Sequence, residues 1–350
     1  MQGIQTNETT THMHILITGT AGFIGSFLTE ALIAEGHRIY GIDAINDYYE
    51  ISLKADRLQK SGITGMQYGK ECHSTKLEGY TFMQTDICDK ENMDRLFENN
   101  RFDCVINLAA QAGVRYSLKN PEAYVYSNVQ GFIHLLELCR KHHCNKLIFA
   151  SSSSVYGNDR QVPFQESAPV DHPVSIYAAT KKSNELMAYT YSYLYGIQTI
   201  GLRFFTVYGP FGRPDMAPIL FANAIRNNEC IKIFNNGDLA RDFTYIDDII
   251  EGVVKIVSHP ELARQDVPGV PSVIYNIGHG SPIRLMDFVR LLEENIGHSV
   301  QKEFVGMQPG DVYQTWADTQ KLTEDYHYTP STSLEEGIKR FAEWYKTYYS

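Results

Sequence analysis

The sequence carries no block of basic residues. Its 31 Lys and Arg stand against 41 Asp and Glu, for a formal net charge of −10, and that balance points to no nucleic-acid partner. An anionic small molecule can still be held, but only by a few local arginines. Long apolar runs are also missing. The apolar stretch at 147–150 is far short of the roughly 20 residues that span a bilayer, so no membrane span is expected. The polar start, residues 1–12 with Thr9, Thr10 and Thr11 in a row, lacks the apolar core of an export signal. It reads as a disordered lead-in, and a cytoplasmic location is the expectation. None of the six cysteines stands in a CxxC pair, so they read as reduced thiols. The run from Cys139 to Cys144 has two histidines but no wider ligand set. It reads as a helix end and loop, and no metal is expected. Internal repeats and low-complexity tracts are absent.

What is present is apolar and periodic. Hydrophobic residues make up 43% of 350, enough to bury a sizeable core. Short β-branched runs at His14–Thr18, Arg38–Asp43, 80–85, 103–107, 146–151 and Gln198–Phe204 alternate with helical patterns at 23–35, 90–98, 121–141 and Ile176–Tyr195. Apolar strands joined by helices predict a parallel sheet covered on both faces, with its ligand at the carboxyl ends of the strands. The glycine-containing stretch 61–79 reads as an inserted loop or hairpin. Beyond about Gly209 the pattern breaks into small strands at 231–234, 242–245 and 273–277, with helices at 248–257, Leu285–Ile296 and 334–345. The organisation expected is a lead-in at 1–12, a dinucleotide-binding unit at 13–208, and a smaller substrate unit at 209–350, some of whose segments return to the first.

The first strand runs into Gly19-Thr20-Ala21-Gly22-Phe23-Ile24-Gly25 and then a helix. Gly19 permits the tight turn, Gly22 lets a pyrophosphate approach the backbone, and Gly25 allows close helix packing. Phosphates then meet unpaired amides at the helix N-terminus. Asp43 ends the second strand, where a carboxylate accepts from a ribose 2′-hydroxyl and repels a 2′-phosphate. The cofactor implied is NAD rather than NADP.

Tyr177 and Lys181 lie four apart near the start of a helix and so share one face. A nearby ammonium and a positive nicotinamide ring both favour phenolate, which lowers the tyrosine pKa for proton transfer. Upstream, Ser151, Ser152, Ser153 and Ser154 place four hydroxyls at the carboxyl end of a strand, able to donate to a substrate oxygen.

Together these residues resemble the extended short-chain dehydrogenase/reductases, from His14 to about Tyr345. The resemblance implies a Rossmann-type doubly wound α/β fold with a smaller C-terminal α/β substrate-binding domain. It makes Ser152 the third catalytic group beside Tyr177 and Lys181. It implies cofactor contacts from Phe23, Ile24, Lys54, Asp86 and Ile87, from Leu108, Ala109, Ala110 and Gln111, and from Asn128, Ser151 and Phe204. Within the family the chain is similar to the UDP-glucuronate 4-epimerases, through 46–54, 110–117, 203–210, Gly212-Arg213-Pro214-Asp215-Met216 and 241–248. That similarity implies UDP contacts from Arg241 and Asp311, uracil near Lys232, Ile233 and Phe234, and nucleotide-sugar contacts from Arg115 and Arg213. It assigns the sugar carboxylate to Ser153, Ser154 and Thr206. Gln308 stands where many UDP-hexose epimerases have Arg. The substitution favours the uronate enzymes and removes one diphosphate ligand.

The activity implied is reversible C4 epimerisation of UDP-glucuronate and UDP-galacturonate through a 4-keto sugar, by a homodimer. The rival enzymes are a UDP-glucuronate decarboxylase and a neutral UDP-hexose epimerase. A 4,6-dehydratase would need an Asp-Glu pair where this chain has serines. A non-catalytic NAD-binding redox sensor is the alternative of another class, and the intact Tyr177 and Lys181 argue against it.

Overall fold

The computed structural model describes residues 12–307 and 312–350. The lead-in up to residue 11 and the stretch from Gln308 to Asp311 lie outside the described residues. The strands are β1 (His14–Thr18), β2 (Arg38–Asp43), β3 (Glu71–His73), β4 (Tyr80–Gln84), β5 (Cys104–Asn107), β6 (Lys146–Ser152), β7 (Gln198–Phe204), β8 (Thr206–Tyr208), β9 (Ile231–Ile233), β10 (Ala240–Tyr245), β11 (Ser272–Ile277), β12 (Pro282–Arg284) and β13 (Lys302–Phe304).

Eight of them form one sheet in the order β11-β7-β6-β5-β1-β2-β4-β3. All pairs are parallel except β3 with β4. The chain starts in the middle at β1, moves out through β2 and β4, then restarts on the other side at β5. This reversal opens a crevice at the carboxyl ends of β1 and β5.

Side-chain alternation explains why the strands read as continuous apolar runs. Ile15 and Ile17 enter one core with Ile39, Ile106 and Ile148. Leu16 enters the other with Ile42, Val105 and Leu147. A strand buried on both faces has no polar side to show. The 61–79 stretch supplies β3, which returns antiparallel on β4 as a hairpin edge. Strand β11 joins the large sheet beside β7, although it comes from the C-terminal part of the chain. The smaller sheets are β12-β10-β8 and β13-β9.

Two elements differ from the sequence pattern. The helix read at 121–141 is interrupted by a π turn at Val125–Gln130, which apolar periodicity does not reveal. The Ile51–Lys60 helix was read only as part of a motif. Its mean character is polar, and it buries Leu53 and Leu58 together with Lys54 and Arg57.

Candidate active site

The crevice above β1 and β5 opens into a cavity of about 440 Å³, within the range of small-molecule sites. Its first wall is the glycine turn. Gly19 has φ +81°, and a Cβ there would sit 2.8 Å from the Ala109 nitrogen. A Cβ on Gly25 would lie 2.1 Å from the Gly19 carbonyl oxygen. The close approach at Gly25 is therefore to the turn itself as well as to the sheet. At the end of β2 the Asp43 carboxylate accepts from the Ala21 N–H at 3.1 Å and the Ile45 N–H at 2.8 Å. Burial pushes its pKa up, while the Lys54 charge and both amides pull it down. Lys54 Nζ donates to the carbonyl and side-chain oxygens of Asn46 at 2.6 and 2.7 Å. A cradle that excludes side chains, with a fixed carboxylate at the ribose position, fits a dinucleotide lacking a 2′-phosphate.

The second wall carries the Tyr177–Lys181 pair. Ser175 caps its helix by accepting from the Ala178 N–H at 3.1 Å, which sets Tyr177 in the first turn. Lys181, one turn on, donates from Nζ to the Ala150 carbonyl at 2.8 Å. The ammonium lies 6.0 Å from the centre of the Tyr177 ring. Burial lowers the Lys181 pKa to about 8. Burial raises that of Tyr177, against a hydrogen bond with Ser152 and the charge of Arg213. The lysine alone does not lower the phenol, and the expected lowering rests on the positive nicotinamide ring as well. The Lys181 ammonium is turned to a carbonyl, and the half-buried ring carries no positive neighbour close enough to outweigh desolvation. Ser152 Oγ also accepts from the N–H and hydroxyl of Ser154 at 3.1 and 2.9 Å. The serines thus form one hydroxyl cluster at the end of β6.

The cavity brings together most of the residues singled out from the sequence. It is lined by Gly19, Gly22, Phe23, Ile24, Gly25, Asp43, Lys54, Asp86 and Ile87, by Leu108 to Gln111, and by Ser151 to Ser154. Tyr177, Lys181, Phe204, Thr206, Arg115, Arg213 and Arg241 complete that set. Asn128 stands behind the wall. Its amide accepts from the Gln111 N–H at 2.8 Å and donates to the Gln111 carbonyl at 3.0 Å and to Thr180 at 3.0 Å. It positions the Gln111 backbone rather than facing the cavity, and the π turn delivers it there. Lys232, Ile233 and Phe234 are likewise not among the lining residues. Ile233 belongs to the core and Lys232 is exposed, as alternation along β9 requires. The Phe234 ring lies 5.0 Å beneath the Arg115 guanidinium, at the edge of the site. Asp311 lies outside the described residues.

Two sets of pairings are not legible in the sequence, although most of their residues lie in the motifs. Tyr48 donates to Asp215 at 2.9 Å, and Asp215 also accepts from Arg213 at 3.0 Å. Behind the serines, Arg203 donates to both oxygens of Glu185 at 2.8 and 2.9 Å, and Ser151 donates to the same carboxylate at 2.7 Å. Such pairs join residues far apart in sequence, and no local pattern announces them. Among the described residues no cluster of three or more His, Cys, Asp or Glu is placed to hold a metal ion. Among them, too, no helix is long and apolar enough to cross a membrane.

The described NAD dependent epimerase/dehydratase family matches residues 15–278, and the chain belongs to that family. It is 47% identical to Protein CapI of Staphylococcus aureus, over 96% of this chain and 99% of that protein. It is 42% identical to a probable UDP-glucuronate 4-epimerase of Rhizobium meliloti, over 96% and 98%. Among solved structures it resembles UDP-glucuronic acid 4-epimerase from Bacillus cereus in complex with UDP-glucuronic acid and NAD. That likeness has a TM-score of 0.83 and 32% identity, over 96% of this chain and 100% of the other.

Proposed function

We propose that this protein interconverts UDP-glucuronate and UDP-galacturonate by inverting C4, with NAD held tightly on the Gly19–Gly25 turn. The observation that carries the reading is the hydroxyl cluster of Ser153 and Ser154, which shares one cavity with Thr206, the Tyr177–Lys181 pair and the glycine turn. The names of the relatives from Rhizobium meliloti and Bacillus cereus support it. NAD supplies the hydride acceptor and donor at C4 when bound. Tyr177 takes the proton of the C4 hydroxyl, with Ser152 orienting that oxygen. The sugar then exists as a 4-ketone, turns about its diphosphate linkage, and recovers its proton from Tyr177 with the opposite face presented. Lys181 holds positive charge beneath the Tyr177 ring while the phenol is deprotonated. Arg213 and Arg241 are the cations placed to meet the diphosphate.

The 4-ketone is a β-keto acid and can lose CO₂. Decarboxylation requires the C5–C6 bond to overlap the carbonyl π system. Neutral donors from Ser153, Ser154 and Thr206 hold the carboxylate near the carbonyl plane, where overlap is poor. This geometry separates the epimerase from a decarboxylase on the same scaffold.

Residues 13–208 are proposed as the NAD unit and 209–350 as mainly the nucleotide-sugar unit, in a cytoplasmic enzyme of polysaccharide biosynthesis. Leu186, Tyr189, Tyr193 and Leu194 are exposed on the Ile176–Tyr195 helix, with Val125 and Tyr126 also exposed. We assign this apolar face to a homodimer. The test of function is incubation of the purified protein with UDP-glucuronate, followed by NMR. UDP-galacturonate is the expected product. A UDP-pentose or unchanged substrate overturns the proposal.

A further inference from the structure

Arg57 is fully buried, with 1% of its surface exposed. No carboxylate lies within ion-pair distance of it among the described residues. Its donors instead reach oxygens on separate segments of the chain. Nη1 donates to the Ala21 carbonyl at 2.9 Å and to the Tyr49 hydroxyl at 2.6 Å. Nε and Nη2 donate to the Phe211 carbonyl at 3.2 and 2.7 Å. Ala21 lies inside the glycine turn, and its N–H is held by Asp43. Phe211 lies two residues before Arg213.

Both ends of this bridge are stiff. Phe211 has φ +56°, an uncommon conformation for a bulky residue. Its ring packs 5.1 Å from Trp344 and 5.4 Å from Tyr348. Tyr348 in turn hydrogen-bonds Asp56, the neighbour of Arg57. A planar guanidinium with donors in a fixed fork holds two carbonyls at a set separation, which a single ammonium cannot do. Burying a cation is costly, and these hydrogen bonds, with the charge of Asp43 nearby, only offset that cost. Nothing in general packing explains why one should stand where a neutral side chain would serve.

We propose that Arg57 is a positioning residue that couples the dinucleotide turn to the loop carrying Arg213, so that occupancy of one half of the site sets the affinity of the other. The inference rests on the reading that NAD lies on the glycine turn and the nucleotide sugar beside Arg213. Coupling is reciprocal by linkage: NAD tightens UDP binding and UDP tightens NAD binding by the same factor.

The probe is UDP alone, which lacks the sugar and so cannot touch the nicotinamide. Calorimetry measures its affinity for the NAD-loaded and NAD-stripped protein. In the parent we expect UDP to bind at least about five-fold tighter with NAD present, the lower end of typical allosteric coupling. Arg57→Lys keeps the charge but not the fork and should bring that ratio close to one. Arg57→Met serves as a second variant, and thermal unfolding verifies that each is folded. A folded variant that binds both ligands with the parent's ratio overturns the inference, as does a parent ratio of one. Either result leaves the proposed function standing as long as NAD and UDP each bind. Loss of either binding event in the parent sinks that reading instead.

Discussion

Lys181→Met separates what the ammonium is proposed to do for chemistry from what it does to the fold. Lys181 is 3% exposed, and burial takes its pKa from 10.5 to about 8. At about 1.4 kcal/mol per pKa unit, burying this charge opposes folding by about 3 kcal/mol. The charge-assisted bond to Ala150 returns roughly 1.5–3 kcal/mol. Methionine fills a similar volume without the charge. The variant should therefore equal the parent or exceed it by up to about 1.5 kcal/mol at neutral pH, the difference of those two contributions. The pH dependence has a definite sign. The unfolded chain holds this proton more tightly than the folded one, so the opposition is complete below about pH 8 and fades as the pH rises toward 10.5. Across that window the parent should gain on the variant. Urea unfolding of NAD-stripped protein measures this, because a ligand that binds only the folded state adds its own stability. The same substitution should lower kcat by about 10²- to 10⁴-fold. A variant less stable than the parent by more than about 2 kcal/mol, or a difference that ignores pH, refutes the reasoning.

Tyr177→Phe removes the proton acceptor and keeps the ring, so kcat should fall by about 10²- to 10⁴-fold while NAD binding, followed by calorimetry, is retained. Asp43→Ala should narrow the gap between NAD and NADP affinities, because it removes both a ribose acceptor and the charge that repels a 2′-phosphate; an unchanged gap assigns the discrimination elsewhere. Glu185→Gln leaves Arg203 buried without its counter-charge and should cost roughly 3–5 kcal/mol in denaturant unfolding. Burial raises the Glu185 pKa but the Arg203 fork outweighs it and the net shift is downward, so the parent's advantage should be full at neutral pH and shrink as the pH falls below the ordinary carboxyl range. Thr206→Val keeps shape and removes one donor, which is worth roughly 1.5–3 kcal/mol toward a carboxylate; UDP-glucuronate turnover should drop and CO₂ release rise, and parent-like kinetics without CO₂ would remove Thr206 from the carboxylate site.

The parallel sheet was legible because its strands are buried on both faces. All six strands read from the first half of the sequence, His14–Thr18 and Arg38–Asp43 among them, differ by at most one residue from the structure or match it outright. The glycine turn and the Tyr177–Lys181 pair were legible because their chemistry is local: both sit within one turn of backbone. The Ile51–Lys60 helix is less readable, since its buried face includes Lys54 and Arg57, which a hydrophobic pattern scores as surface. The small strand β9 shows what resemblance alone leaves open. A stretch aligned to a uracil site by resemblance need not turn each side chain toward it, and alternation sends Ile233 into the core.

The raised Tyr177 pKa follows from the same distinction between local spacing and three-dimensional environment. Spacing of four places Lys181 on the tyrosine's helix face, and from spacing alone the ammonium should pull the phenol down. Its direction is decided by β6, whose Ala150 carbonyl takes the Nζ donor. The depressed Lys181 and the raised Tyr177 then share one cause, burial between the sheet and the Ile176–Tyr195 helix. There each charge is costly alone, and a positive ring beside Tyr177 would favour the phenolate. On the proposed mechanism, NAD bound on the glycine turn would bring the positive charge that lowers Tyr177, so its strength as a base would depend on the hydride acceptor more than on the lysine.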